Sequence, residues 1–426
     1  TRVSAGPVEK PARSLTASGA GSGPVGGTIT VSADSLKEVH PAVAYSPDRE
    51  EYLVVWHNDR NGNDDIRAQR LSKDGGRLGG PFYVAGGTGV DRRFPAVAYN
   101  DDEQEYLVVW ESHTTAVNIV GQRVSATGGV QGGLIDITSH LGPAAAQGPK
   151  VAYASTGKTW LVVWSFSAWG NDWDIHGASV EKDGSVGSIS LISEDPGGSP
   201  RSQPDLAYCR TRNEHLVVWR SGGDIYARRV AGDGTPLNPA AITISSLGHN
   251  EEDPAVGALP LANDQGDYLV VWEIDTGSET GIDGKTVHVA SDGTETVGPF
   301  PLVVYDGSLD ESNPAVAGSE STEQYLVTWK QHYRVSFGGP GYTGTIQFDG
   351  VAGRAIAADG SHVSGSLLDA GTYVAGWAAE RTTVVAGSCG DFMVAYQDTP
   401  AGETDSDIFA HLWGNRIYLP VVVRSS

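Results

Sequence analysis

Side chains that could do chemistry recur at regular places along this 426-residue chain instead of gathering at one. Carboxylates crowd the polar stretches around a repeated Asp-Ile pair: Asp59, Asp64 and Asp65; Asp172 and Asp174; Asp224; Asp275 and Asp283; Glu403, Asp405 and Asp407. The run from Asn58 to Asp65 has the oxygen density that Ca²⁺ takes as ligands. Asp59, Asp64 and Asp65 are therefore a candidate Ca²⁺ site, although the run lacks the spacing and terminal Glu of an EF-hand loop. The competing role is local, because the Asp of Asp-Ile repeats from unit to unit and can accept hydrogen bonds from turn amides. Two facing acids would also serve glycoside hydrolysis, yet no pair here stands apart from the others. Eleven histidines are scattered singly, with no His-x-His or His-Glu-x-x-His spacing for a transition metal. No Gly-x-Ser-x-Gly elbow marks a nucleophile. The residues single out no catalytic constellation, and the expectation is a protein that is not an enzyme.

Aromatic side chains are a second kind of candidate. Phe166, Trp169 and Trp173 fall in one polar stretch. Tyr333, Phe337 and Tyr342 fall in a longer one, read as a loop from Gln331 to Asp349, and Trp377 lies in an extra segment from Tyr373 to Arg381. Trp169, Trp173, Tyr333, Tyr342 and Trp377 are candidate ligand-binding residues, because exposed rings stack on sugars or seat a protein partner. The alternative is that these loops fold onto their own rings.

What must position these residues is a repeat. Tryptophans closing an apolar run fall at Trp56, Trp110, Trp164, Trp219, Trp272 and Trp329, spaced by 54, 54, 55, 53 and 57 residues. In the first unit the pattern is Pro-Ala-Val-Ala-Tyr (41–45), Glu-Tyr-Leu-Val-Val-Trp (51–56), Asp-Ile-Arg-Ala-Gln-Arg-Leu (65–71) and Asp-Gly (74–75). A degenerate seventh unit runs through Thr383 to Gly387, Phe392 to Tyr396 and Asp407 to Leu412. The first strand is small, as crowding around an axis demands. The second is continuously apolar and β-branched, the pattern of a strand covered on both faces. The third alternates, and Asp-Gly turns the chain tightly into a fourth. Six tryptophans at equivalent positions are read as packing between units, since burying one such ring removes roughly 150–250 Å² from water.

Four short strands per unit with no helix between units define an all-β fold, a seven-bladed β-propeller of four-stranded antiparallel blades. The segment Gly27 to Ser32 resembles a fourth strand, so the N-terminal strand is expected to close the ring by completing the last blade. Ile417 to Val423 competes for that place, with Pro420 counting against it as an interior strand. The domain plan is an extended N-terminal arm over residues 1–26, a propeller over 27–415 and a C-terminal tail over 416–426. Cys209 and Cys389 fall three blades apart, too distant for a disulfide, and are expected as free thiols.

A net charge of −23, from 52 acidic and 29 basic side chains, repels phosphate backbones and anionic headgroups and excludes nucleic acid as a partner. No stretch reaches the roughly 18–20 apolar residues of a membrane-spanning helix. Two cysteines exclude a disulfide framework. A Thr at position 1 and a polar Gly/Ser/Pro leader give the chain the composition of a mature exported protein.

From Leu53 to Leu71, Leu-Val-Val-Trp followed by a polar loop and Asp-Ile-x-Ala-x-Arg-Leu resembles the repeat of secreted bacterial β-propeller proteins. The resemblance covers residues 27 to about 415 and implies fold and an extracellular or cell-surface location. The Ser-x-Asp-x-Gly-x-Thr-Trp box of sialidases is missing. Arg416 to Arg424 is similar to a short tail of some exported bacterial proteins. The expected function is a non-enzymatic extracellular scaffold, assembling with itself or with another surface protein through propeller faces and terminal arms. Two other readings stay open: a lectin-like propeller that takes glycans on its aromatic loops, and a polysaccharide-cleaving enzyme.

Overall fold

Each repeat folds into strands that pair in the order in which they occur. The computed structural model describes residues 23–414, apart from positions 33, 61, 143–144, 169–171, 194–198, 261–265, 278, 299–301, 306–309, 340–341, 364–367, 370–380, 388–389 and 400–405. In the first unit Glu38–Ser46, Glu51–Arg60, Asn63–Ser72 and Phe82–Ala85 make one antiparallel four-stranded sheet. Asp74-Gly75 turns the chain out of the third strand. Gly75 takes φ +82° there, and its N–H donates to the Ser72 carbonyl at 2.8 Å.

The described strands form six sheets: four of four strands, one of five and one of eight. The eight-stranded sheet holds two successive antiparallel groups joined by a single parallel pairing, Ala145 with Val117. In the five-stranded sheet Glu295–Val297 and Leu302–Tyr305 both pair with Thr280–Val289. The strand Gly23–Ser32 starts ahead of the expected Gly27. It lies antiparallel to Asp407–Gly414, from Gly23 opposite Gly414 to Ser32 opposite Ile408.

The core lies between the sheets. Tyr52, Val54 and Trp56 pack with Met393, Ala395, Ile408 and Ala410 of the last sheet. Leu53 and Val55, pointing the other way, pack with Val97, Tyr106, Val108 and Trp110 of the next. Alternate residues of one strand thus face different neighbours, which leaves the run no polar position. Trp56, Trp110, Trp164, Trp272 and Trp329 have no exposed surface, and Trp219 is 2% exposed. A charged clamp recurs where the second strand begins: Arg70 with Glu51 at 2.5 Å, Arg123 with Glu105 at 3.4 Å, and Arg229 with Glu214 at 2.6 Å.

One expectation is corrected. The segment read as a loop from Gln331 to Asp349 is a hairpin, in which Gln324–Gly339 and Tyr342–Ala357 pair from Gln324 opposite Ala357 to Gly339 opposite Tyr342. Tyr333, Val335 and Phe337 alternate with Arg334 and Ser336, a period of two that suits a strand. Cys209 is buried and free. Trp169, Trp377, Cys389, residues 1–22 of the arm and the tail 416–426 lie outside the described residues, as do the side chains of Tyr333 and Tyr342.

Candidate functional site

The first strands of all the units border one central cavity of about 950 Å³, each through its Pro41, Pro95, Pro149, Pro204, Pro254, Pro314 or Thr382. In the first unit Val39 pairs with His57 and Ala42 with Val55, so His40 and Pro41 bulge out opposite Trp56. The same shift recurs before Ala96, Lys150, Asp205, Ala255 and Ala315. Proline has no N–H to offer the ladder, and a bulge excuses it. The residue ahead of it is left-handed every time: His40 at φ +54°, Phe94 at +53°, Gly148 at +62°, Gln203 at +56°, Asp253 at +45° and Asn313 at +52°. Arg381, ahead of Thr382, holds the equivalent place in the last sheet, where Thr383 pairs with Ala395 as Ala42 pairs with Val55. All seven line the cavity.

The bulges are pinned from the preceding repeat unit. The N–H of His40 donates to Gln397 Oε1 at 3.0 Å and that of Phe94 to His57 Nδ1 at 3.4 Å. Gly148 donates to Glu111 Oε1 at 2.8 Å, and Asn313 to Glu273 Oε2 at 3.4 Å. Each acceptor is the residue after the closing Trp, or after Tyr396 in the last sheet. Asp253 is held differently. Its N–H donates to Gln203 Oε1 at 3.2 Å, and Gln203 Nε2 donates back to its carboxyl.

The mouth mixes rings, carboxyls, amides and cations. His40 stacks on His57 with centroids 4.9 Å apart, and Phe94 meets His40 edge-on at 4.5 Å. Burial, then the charge of Arg381, pushes His40 down to about 3, and burial takes His57 to about 2, so both rings are neutral. Burial raises the carboxyl of Asp253 against the lowering pull of Arg381. Burial and the charge of Asp253 push Glu273 up to about 7. Glu111, also raised by burial, accepts from His113 Nε2 at 2.8 Å. Lys150 pairs with Asp205 at 3.4 Å. The Arg381 side chain is exposed and makes no ion pair among the described residues.

Of the residues singled out from sequence, Trp173 lies half-buried in the cavity lining. Phe166 instead packs inward against His176 at 4.8 Å. Asp59 accepts the Gly62 N–H at 3.0 Å, while Asp64 is held by Arg93, and Asp65 by Arg92 at 3.4 Å and the Gly87 N–H at 3.0 Å. Two guanidinium groups thus supply positive charge at this run. Among the described residues no three His, Cys, Asp or Glu side chains gather as a metal site. His40, Phe94, Gln203, Asp253, Asn313, Arg381, Glu111 and Glu273 were not anticipated. A signal was present: the position ahead of the recurring Pro carries a different residue in every unit.

No protein-family model matches the chain, and no curated protein matches it. Among solved structures, a protein of unknown function from Dyadobacter fermentans is similar over 93% of this chain and 100% of its own, at 11% identity and a TM-score of 0.56. A leech intramolecular trans-sialidase, complexed with 2,7-anhydro-Neu5Ac, is similar over 70% of this chain and 65% of its own, at 7% identity and a TM-score of 0.52. A Hadza microbial sialidase follows at 12% identity and 0.47, over 68% of this chain and 63% of its own. The chain thus spans a little less than two thirds of the length of either sialidase. These likenesses concern the fold: an all-β protein of four-stranded antiparallel sheets with β-propeller neighbours. They also correct two expectations. The trans-sialidase, a carbohydrate-active enzyme, counts against both the non-enzymatic, self-assembling scaffold and the expectation that the chain is not an enzyme.

Proposed function

We propose that the chain is an exported, carbohydrate-active propeller that takes a glycan at the channel mouth bordered by His40, Phe94, Trp173, Gln203, Asp253, Asn313 and Arg381. In this reading seven blades span residues 27–415 between an arm (1–26) and a tail (416–426). The eight-stranded sheet counts as two blades divided at its single parallel pairing, and Gly23–Ser32 closes the ring. The observation that carries the glycan reading is the lining itself. The rings of His40, Phe94 and Trp173 line one cavity with amides and carboxyls that can bond sugar hydroxyls in both directions. The hairpin carrying Tyr333 and Tyr342 supports it, since its pairing continues past Gln331, where its first-strand partner ends at Glu311. Screening an oligosaccharide panel, then titrating the hits calorimetrically against Phe94→Ala and Asp253→Asn, tests the reading. At least a tenfold loss of affinity in each variant is expected. Affinities unchanged in both would overturn it.

A second reading, cleavage of the bound glycan, is favoured by the carboxyls. Glycoside hydrolysis needs one protonated acid and one carboxylate. Burial raises both carboxyls, Asp253 in the lining and Glu273 behind it (the latter to about 7), towards the protonated acid that this chemistry requires. Turnover abolished by Asp253→Asn or Glu273→Gln, with binding retained in at least one of them, is the expected result. A wild-type protein that binds but never cleaves would remove this reading alone.

A further inference from the structure

The channel mouth repeats its backbone and varies its side chains. Six bulges share one geometry, and five place a residue with a side chain at φ +45° to +56°, where glycine would be unstrained. If the bulge served only the chain path, Gly or Asn could fill every copy. Only Gly148 and Asn313 do so. The seven equivalent positions carry seven different residues: His, Phe, Gly, Gln, Asp, Asn and Arg. The next residue, by contrast, is Pro in six units out of seven. All seven positions face the same cavity, and hydrogen bonds from neighbouring side chains fix the backbone of five of them. Strain retained at a register that lines the cavity, with no residue type used twice there, is the arrangement expected of a surface that reads a ligand.

Their charges say what kind of ligand. Of the two basic side chains that line the cavity, Lys150 is neutralised by Asp205, while the Arg381 guanidinium is exposed and without an ion-pair partner among the described residues. Carboxyl groups in the same lining are engaged: Asp253 by Gln203, and Glu111 by His113 and the Gly148 N–H. Burial also holds both of these carboxyls towards their neutral form, which leaves less competing negative charge at the mouth. An open guanidinium suits a planar, charged acceptor. The rings of His40 and Phe94 lie in the same lining.

We propose that the seven positions ahead of the repeated prolines are the specificity-determining set of this mouth, and that they select a glycan bearing an anionic group, with the anion on Arg381 and a sugar face against Phe94 and His40. This rests on the glycan reading above. The test uses the full chain and a panel of uronate-, sialate- and sulfate-bearing oligosaccharides, each paired with its carboxyl-reduced or desulfated counterpart, by calorimetry. At least one acidic member should bind tenfold or more tightly than its neutral counterpart. Arg381→Ala should bring the two to equal affinity, Arg381→Lys should restore part of the difference, and both variants should melt with the parent. Neutral counterparts binding as tightly as the acidic forms, or discrimination surviving in Arg381→Ala, would overturn the proposal while leaving the glycan reading intact. No binding by any member would overturn both.

Discussion

Two positions that face each other across every bulge obey opposite rules. Trp56 and His40 belong to neighbouring strands of one sheet, and so do the equivalent pairs of the next units. The Trp position is sealed in a seam between sheets and keeps one residue type in six units. The position ahead of the proline borders the cavity and never uses the same residue twice. Both are held by the same backbone. What differs is the neighbour: a second sheet at fixed spacing admits one shape, and an open cavity admits any. A repeat therefore separates its scaffold from its recognition surface by the direction a side chain faces.

The comparison breaks most visibly at the seam. Trp110→Ala removes a ring with no exposed surface and should destabilise the fold by roughly 3–5 kcal/mol in denaturant titrations. A loss under 1 kcal/mol would mean that the seam can collapse around the gap. A smaller, pH-dependent effect is expected behind the mouth. Glu273 is raised from an ordinary 4.5 to about 7, so the unfolded chain ionises it first. Its stabilising contribution is lost as pH rises from near 4.5 through 7. Glu273→Gln, which keeps an acceptor for the Asn313 N–H, should raise Tm by a few degrees near pH 8 and leave it unchanged near pH 4, where the carboxyl is protonated in both states. Equal shifts at both pH values would assign the effect to packing instead of charge. The smallest change is expected at the mouth. Asn313→Gly relieves a left-handed residue at the cost of unfolded-state entropy and should move stability by no more than about 0.5 kcal/mol either way. Its effect should appear in ligand affinity, which separates the two rules in one variant.

Much of the architecture was legible because the apolar pattern has a direct physical reading. A run such as Tyr52 to Trp56 with no polar position can only be a strand covered on both sides, and its recurrence fixes the unit. The hairpin from Gln331 to Asp349 was misread for want of tertiary context: its alternation was present, but an aromatic insert between two strands reads equally as a loop. The mouth was missed for a different reason. Its residues are one per unit and more than 30 positions apart, so no local motif joins them. A variable position also looks like noise until the fold stacks its copies around one cavity. The acids illustrate the converse. Asp64 and Asp65 caught attention by density, and Arg92 and Arg93, about 27 positions on, hold them.

By itself, then, the sequence determined the repeat, the strand types, the buried tryptophans and the absence of a contiguous catalytic motif, because these follow from local periodicity and residue chemistry. Tertiary structure alone decided that Gly23–Ser32 lies beside Asp407–Gly414 and that seven dissimilar residues border one cavity. It also decided that Arg381 stands there without an ion-pair partner among the described residues while Lys150 has Asp205. Those facts depend on distances between residues far apart in the chain, and only the packing of sheet against sheet sets them.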